Sequence, residues 1–199
     1  MLALRLDGSI STVVKLPFTG TQADLGILFY LLLIVGIVFT VNSTNLTDGI
    51  DGLCASITAV VMIFLTVLCL KSGNAECLYL CGAMIGGMLG FLVYNFHPAR
   101  VFMGDTGSLF IGGAVSAAAI MLDIPLILVF VGIMYYVESF SVIIQVTSYK
   151  LTKKRVFKMS PIHHHFEMCG WKEVKIVFVF SLVTAVFSLI GCFGFIGNI

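Results

Sequence analysis

Residues 25–53 read LGILFYLLLIVGIVFTVNSTNLTDGIDGL, and the fold turns on the change of character inside that stretch. The first part, 25–41, carries no charge, and a bilayer core needs about 20 mostly apolar residues per helix. The second part, 42–52, gathers Asn42, Asn45, Asp48 and Asp51 with Gly49 and Gly52. A second apolar run then begins at Leu53. A long apolar run, a short polar break and another long run describe two membrane helices joined by a loop. Lipid cannot satisfy open backbone groups, so the runs are helices rather than strands.

The same alternation extends over the chain, with apolar runs at about 25–41, 53–70, 77–96, 108–122, 124–149 and 174–196. The fourth is short and rich in Gly and Ala. Of the 199 residues 59% are hydrophobic and 11% charged, against roughly 45–50% and about 25% in a soluble domain. This excludes a water-soluble enzyme and predicts an all-α, polytopic integral membrane bundle of about six transmembrane helices. A net charge of +1 excludes the basic field that holds nucleic acid by its phosphates. Residues 1–23, with alternating polar and apolar positions, a Gly-Ser turn and a Pro, do not read as a cleavable leader. They predict a hairpin or irregular segment at the extracytoplasmic surface, followed by a transmembrane region over 24–199.

Lys and Arg concentrate in cytoplasmic loops. Lys150, Lys153, Lys154, Arg155, Lys158 and Lys172 lie between the fifth and sixth runs and Lys175 at the start of the sixth, so the 150–173 loop is expected inside. Counting helices back places loops 42–52 and 95–107 inside as well, and both termini outside. Arg100 joins the inside set, and Arg5, Lys15 and Lys71 fall outside. The polar motifs of three loops therefore converge on one membrane face.

In the first loop, Asp48 and Asp51 are three residues apart, which would put both on one face if a helix began there. Gly49 and Gly52 let another group approach the backbone closely. In the second loop, Asp105 stands between Gly104 and Thr106-Gly107-Ser108 at the mouth of the fourth helix. Carboxylates shared with substrate phosphates are a usual way of binding Mg²⁺, and helix N–H groups can meet a phosphate. The third loop carries His163, His164 and His165; three consecutive His cannot share a helix face, so a loop or turn is expected. Imidazoles that bind a phosphate or move a proton are favoured over zinc, because two His four residues apart are absent and Cys169 stands alone. Glu138 and Gln145 lie within the fifth run, some way from the inside surface, and are expected to make interhelical hydrogen bonds. Gly82, Gly86 and Gly90 repeat every four residues, as on a close-packing helix face. Tyr149 and Trp171 are expected to anchor at the interface. The six Cys show no spacing for a disulfide framework or metal knot.

NSTNLTDGIDGL (42–53), FHPARVFMGDTGSL (96–109), ESFSVIIQV (138–146) and PIHHHFEMCGW (161–171), in that order and spacing, closely resemble the phospho-N-acetylmuramoyl-pentapeptide transferases (MraY enzymes) of glycosyltransferase family 4. The PIHHHFE string separates these from related transferases of N-acetylhexosamine phosphate. The resemblance implies transfer of phospho-N-acetylmuramoyl-pentapeptide from UDP-MurNAc-pentapeptide to undecaprenyl phosphate, with Mg²⁺ and release of UMP. The product would be lipid I of peptidoglycan synthesis, made at the bacterial cytoplasmic membrane, with a homodimer as the expected assembly. It further implies that Asp105 and Asn45 are metal ligands and that Asp48, Asp105 and His163 to His165 are catalytic. Asp51, Asn95 and Phe102 would form part of the uridine pocket. The family has about ten spans and an adjacent Asp-Asp pair; this chain has no Asp-Asp dipeptide and resembles the carboxyl-terminal six-span portion. A transferase of another UDP-amino sugar, an inactive membrane remnant and a small transporter built around Glu138 are the competing readings.

Overall fold

The computed structural model describes residues 12–197. It opens with a two-stranded antiparallel hairpin, β1 (Val13–Lys15) and β2 (Gln22–Asp24), in which Val13 faces Asp24 and Lys15 faces Gln22. This agrees with the hairpin expected before the first span; residues 1–11 of that segment lie outside the described residues. Helices α1 (Ile27–Thr47), α2 (Leu53–Ser72), α3 (Ala75–Asn95) and α4 (Gly104–Met121) follow. A 3₁₀ turn at Pro125–Ile127 leads to α5 (Leu128–Val131), α6 (Ile133–Thr152), α7 (Ile162–Met168) and α8 (Glu173–Phe195).

The chain is an all-α, multi-pass membrane bundle. Among the described residues four helices, α1, α2, α3 and α8, are long and apolar enough to cross a bilayer, and a fifth span arises if Pro125–Val131 and α6 count together. Two expectations change here. The fifth run is not one helix: it bends by 76° at Gly132. A Cβ at Gly132 would sit 2.7 Å from the Leu128 carbonyl oxygen and 3.1 Å from the Tyr136 ring, so the tight turn requires glycine. The fourth run forms α4, which is 18 residues long but falls outside the span set. Its Gly, Ala and Ser residues suit it to lie against α1 and α2, and Ile111, Ala114, Val115, Ala118 and Ala119 are buried.

Helix α2 is the hub of the core. Its Leu53, Ile57, Val61, Met62, Leu65 and Leu68 are all fully buried and join one cluster with residues of α3, α4, α6 and α8. Helix α1 runs six residues past its apolar stretch. Thr44 and Thr47 donate their hydroxyls back to the carbonyls of Thr40 and Ser43, at 2.8 Å each, so these polar side chains are satisfied within the helix. Across helices, Ser139 Oγ donates to Ser43 Oγ at 2.7 Å, and the hydroxyls of Thr40 and Tyr136, and of Thr58 and Tyr135, meet at 2.8 Å.

Gly112 is where α4 and α1 come closest: a Cβ there would lie 2.6 Å from Val41 Cα and 2.9 Å from Thr44 Oγ1. Backbone cannot swing aside as a side-chain tip can. Gly112→Ala is expected to destabilise the chain by about 1–3 kcal/mol, the usual cost of overpacking. Thermal unfolding in detergent measures it, and an unchanged midpoint would contradict this packing. Gly82, Gly86 and Gly90 behave otherwise. A Cβ at any of them meets nothing within 4 Å, so their four-residue stripe does not pack against another described helix.

The connections sort to two ends. At one end the hairpin meets the α4–3₁₀ turn through the Lys15–Asp123 ion pair at 3.2 Å, and Asn74 Nδ2 donates to the Met121 carbonyl at 2.8 Å. At the other lie the 48–52, 96–103 and 153–161 connections, as the sequence led us to expect.

Candidate active site

Asn45 and Asp48 come from the last turn and cap of α1, Asp105 from the first turn of α4. The extension of α1 puts Asn45 on a helix, not in a loop. Asp48 caps that helix instead of opening α2, so Asp48 and Asp51 do not share a helical face; the turn 48–52 aims them at different partners. Asn45 Nδ2 donates to Asp105 Oδ1 at 3.0 Å and to Ser108 Oγ at 2.9 Å. Burial raises the pKa of the Asp48 carboxyl, the nearby Gly104 backbone N–H opposes that, and the negative charge of Asp105 raises it further. A carboxyl raised in this way favours the folded state when protonated, and that contribution is lost as pH rises through the raised value. The group is strained electrostatically in its ionised form, and a cation between it and Asp105 would relieve the strain.

Asp51 enters a second polar cluster. Its Oδ2 lies 3.2 Å from His97 Nδ1 and accepts from the Ala99 N–H at 2.9 Å. Glu173, in the first turn of α8, brings Oε2 to 3.4 Å from the same His97 nitrogen and accepts from the Asp51 N–H at 3.3 Å. Three connections are thereby tied together. Asn95 is buried, with both ends of its amide engaged: Oδ1 accepts from the Gly52 N–H at 3.2 Å and Nδ2 donates to the Val101 carbonyl at 2.9 Å. It shapes the 96–103 loop, near whose end Phe102 is 75% exposed.

The three His do not occupy a loop. They lie on α7, a seven-residue helix, and the inability of consecutive residues to share a face is resolved by giving each a separate environment. His163 is fully buried, with Nδ1 3.1 Å from Glu138 Oε1 and its backbone N–H donating to Glu138 Oε2 at 3.4 Å. The Nδ1–Oε1 contact is close but poorly aligned for a hydrogen bond, and His163 Nε2 has no partner among the described residues. That ring packs on Gly49, where a Cβ would fall 2.2 Å from Nε2. His164 Nδ1 meets Glu167 Oε2 at 2.5 Å. His165 Nδ1 accepts from the Lys158 N–H at 3.1 Å, with Phe157 against its ring.

Glu138 is thus not remote from the inside motifs, as its position in the fifth run suggested. Gln145 is engaged in the same region: its Oε1 accepts from the N–H groups of Val156 and Phe157 at 3.0 and 2.9 Å, and Nε2 donates to the Phe157 carbonyl at 2.9 Å. Both side chains hold the 153–161 connection and α7 against α6.

The sequence pattern of glycosyl transferase family 4 matches residues 2–123, more than half of the chain. The chain belongs to that family. Among similar curated proteins is the phospho-N-acetylmuramoyl-pentapeptide-transferase of Clostridium botulinum (strain Eklund 17B / Type B), 50% identical over 92% of this chain and 56% of its own length. A Thermoanaerobacter sp. (strain X514) protein of the same name is 52% identical over 89% of the chain and 56% of its own length. One from Acetivibrio thermocellus is 48% identical over 96% and 59%. The family 4 chain therefore spans a little over half the length of these relatives.

In this family 4 chain the structure brings Asn45 and Asp48 to Asp105, whereas Asp51, which the sequence grouped with them, joins His97 and Glu173 instead. The sequence did not single out Glu173 and His97. Glu173 is an acidic residue opening a span on the motif-bearing side, which is the signal that would have found it.

Proposed function

We propose that this chain carries the nucleotide and metal side of a phospho-N-acetylmuramoyl-pentapeptide transferase site in the bacterial cytoplasmic membrane, with the 48–52, 96–103 and 153–173 segments on the cytoplasmic side. Its donor would be UDP-MurNAc-pentapeptide, its acceptor undecaprenyl phosphate, and its products lipid I and UMP. The Asn45–Asp48–Asp105 cluster carries the reading: oxygen donors from two helix ends, one carboxyl pressed toward its protonated form by burial and by the charge of the other. The names of the relatives favour this donor over another UDP-amino sugar.

The donor set fits Mg²⁺, which takes hard oxygen ligands and is held by one or two carboxylates plus substrate phosphates. Asp105, Asp48 and the Asn45 side-chain carbonyl would hold it. When bound, the ion neutralises charge that spreads over the pyrophosphate as its bond breaks. Asn45, by donating to Asp105 and Ser108, fixes the carboxylate's direction. The Asp51–His97–Glu173 cluster and Asn95 hold the 48–52 turn and the 96–103 loop in register, so that Phe102 can stack on a uracil base. His163, wedged between Glu138 and Gly49, sets the distance between α7 and the Asp48–Asp51 turn, and His164 borders the same edge. The α1 face, the hairpin and Pro125–Val129 enclose an apolar groove of about 500 Å³ lined by Leu25, Phe29, Leu33 and Phe140 among others. An isoprenoid chain has the chemistry to lie there.

The test is UMP release from a panel of UDP-sugars, with undecaprenyl phosphate and Mg²⁺, by this chain joined to the remaining length found in its relatives. Activity confined to UDP-MurNAc-pentapeptide supports the reading; a preference for another UDP-amino sugar overturns it. Phe102→Ala is expected to raise the KM for the donor about tenfold, since stacking on an aromatic ring contributes about 1–3 kcal/mol. An unchanged KM would remove Phe102 from the pocket.

A further inference from the structure

Three of the six cysteines, whose spacing suggested nothing, are drawn together by the fold at the end opposite the candidate active site. Cys69 lies one turn before the end of α2. Cys77 and Cys81 are four residues apart on one face of α3, just past the turn. All three are buried, and their sulfurs lie within 4.8 Å of one another, with Cys69 Sγ and Cys81 Sγ 4.0 Å apart. Three sulfurs placed about 2.3 Å from a shared ion are about 4 Å apart in a trigonal plane. A disulfide would need two of them to close to about 2.05 Å, and would leave the third unused.

The scaffold around the sulfurs is already fixed. Asn74 caps α3 by accepting from the Cys77 N–H at 2.9 Å, and its amide donates to the Met121 carbonyl at 2.8 Å. Ser72 Oγ and the Asn74 N–H both donate to the Cys69 carbonyl, at 3.1 and 3.2 Å. Cys77 Sγ points at the Ala118 carbonyl oxygen, 3.5 Å away, which supplies an oxygen donor from α4. Soft thiolates select thiophilic ions such as zinc and copper(I), and charge in an apolar interior is tolerated where it coordinates a metal.

We propose that Cys69, Cys77 and Cys81 form a buried site for a divalent d¹⁰ cation of the Zn²⁺ class, stapling the α2–α3 hairpin beside α4. The three thiols release their protons to water and bind as thiolates, which leaves one net negative charge around the dication, and the Ala118 carbonyl completes the coordination.

Cd²⁺ alone, titrated into the purified, reduced chain in detergent, is the probe. One equivalent is expected to produce a sulfur-to-cadmium charge-transfer band in the ultraviolet, and Zn²⁺ should displace it. Cys69→Ser and Cys81→Ser should each weaken binding at least tenfold, while Cys169→Ser, at an exposed position, should leave it unchanged. A band lost in Cys169→Ser but kept in Cys81→Ser would overturn the proposal, as would no band. If a serine variant fails to fold, alkylation of the unmutated chain decides. Bound Zn²⁺ should slow modification of Cys69, Cys77 and Cys81 at least tenfold relative to Cys54 and Cys192, and equal rates with and without the ion would reject the site.

Discussion

Asp105→Asn is expected to lower UMP release about a thousandfold, the upper range for removing one group from an electrostatic site, with the fold intact. The substitution keeps the side chain's size and leaves an oxygen to accept from Asn45 Nδ2, which now meets Asp105 Oδ1 at 3.0 Å. Only the charge is removed. Because Asp105 is one of the causes that raise the Asp48 pKa, its neutralisation lets Asp48 ionise nearer the ordinary carboxylate range. The destabilisation that sets in as pH rises through the raised pKa then becomes smaller, so the variant should unfold at the same temperature as its parent or higher at neutral pH. Lost turnover without lost stability is the signature of a metal or phosphate role. A cap at the start of α4 would show the opposite pattern. Asp123→Asn, at the far end in an ion pair with Lys15, is the control and should retain turnover. Both are assayed with the remaining length of the relatives supplied. Near-normal turnover of Asp105→Asn would remove Asp105 from the site.

The course of the chain was legible because lipid imposes a composition that loops do not share. Runs ending at Val41, Leu70 and Phe96 were visible, and so was the meeting of the 42–52 and 95–107 loops, since alternating spans put every second connection on the same side; that Asp51 parts from Asp48 and Asp105 was not. The bend at Gly132 was not visible. The stretch around it, 124–137, is apolar on every face and has no periodicity to be interrupted, and helices in lipid tolerate Gly and Pro. The end of α1 was misjudged because Ser43, Thr44 and Thr47 look like loop residues until the Thr44 and Thr47 hydroxyls are seen bonded within the helix and that of Ser43 bonded to Ser139. The Asp51–His97–Glu173 cluster joins residues far apart in sequence, and spacing carries no information about it. The depth of Glu138 was estimated by counting along its own run. What counting could not supply is that α7 folds back against α6 and brings His163 inward.

Breaking that inward contact should produce the largest loss of stability. Glu138 and His163 are both fully buried, so Glu138→Ala removes the carboxyl that faces the imidazole and opens a cavity beside it, and His163→Ala leaves the buried carboxyl without its facing ring. Removing one member of a buried pair typically costs about 3–5 kcal/mol, and either variant should lose that much in unfolding experiments in detergent. Glu138→Gln keeps the shape and an acceptor for the His163 N–H, so its loss should be smaller. Replacing both, as Glu138→Leu with His163→Phe, removes the stranded polar groups and should recover much of the stability, as apolar replacements of buried pairs often do. Activity is expected to separate from stability at that step. The His163 ring rests on Gly49, between Asp48 and Ile50, and an apolar ring there can hold the turn apart but cannot interact with a phosphate. If the double variant recovers stability but not UMP release, His163 has a chemical role beyond packing. If it recovers both, the pair is a structural wedge. If Glu138→Ala and His163→Ala each stay within about 0.5 kcal/mol of the parent, the range of an ordinary surface change, the contact does not hold α7 in place.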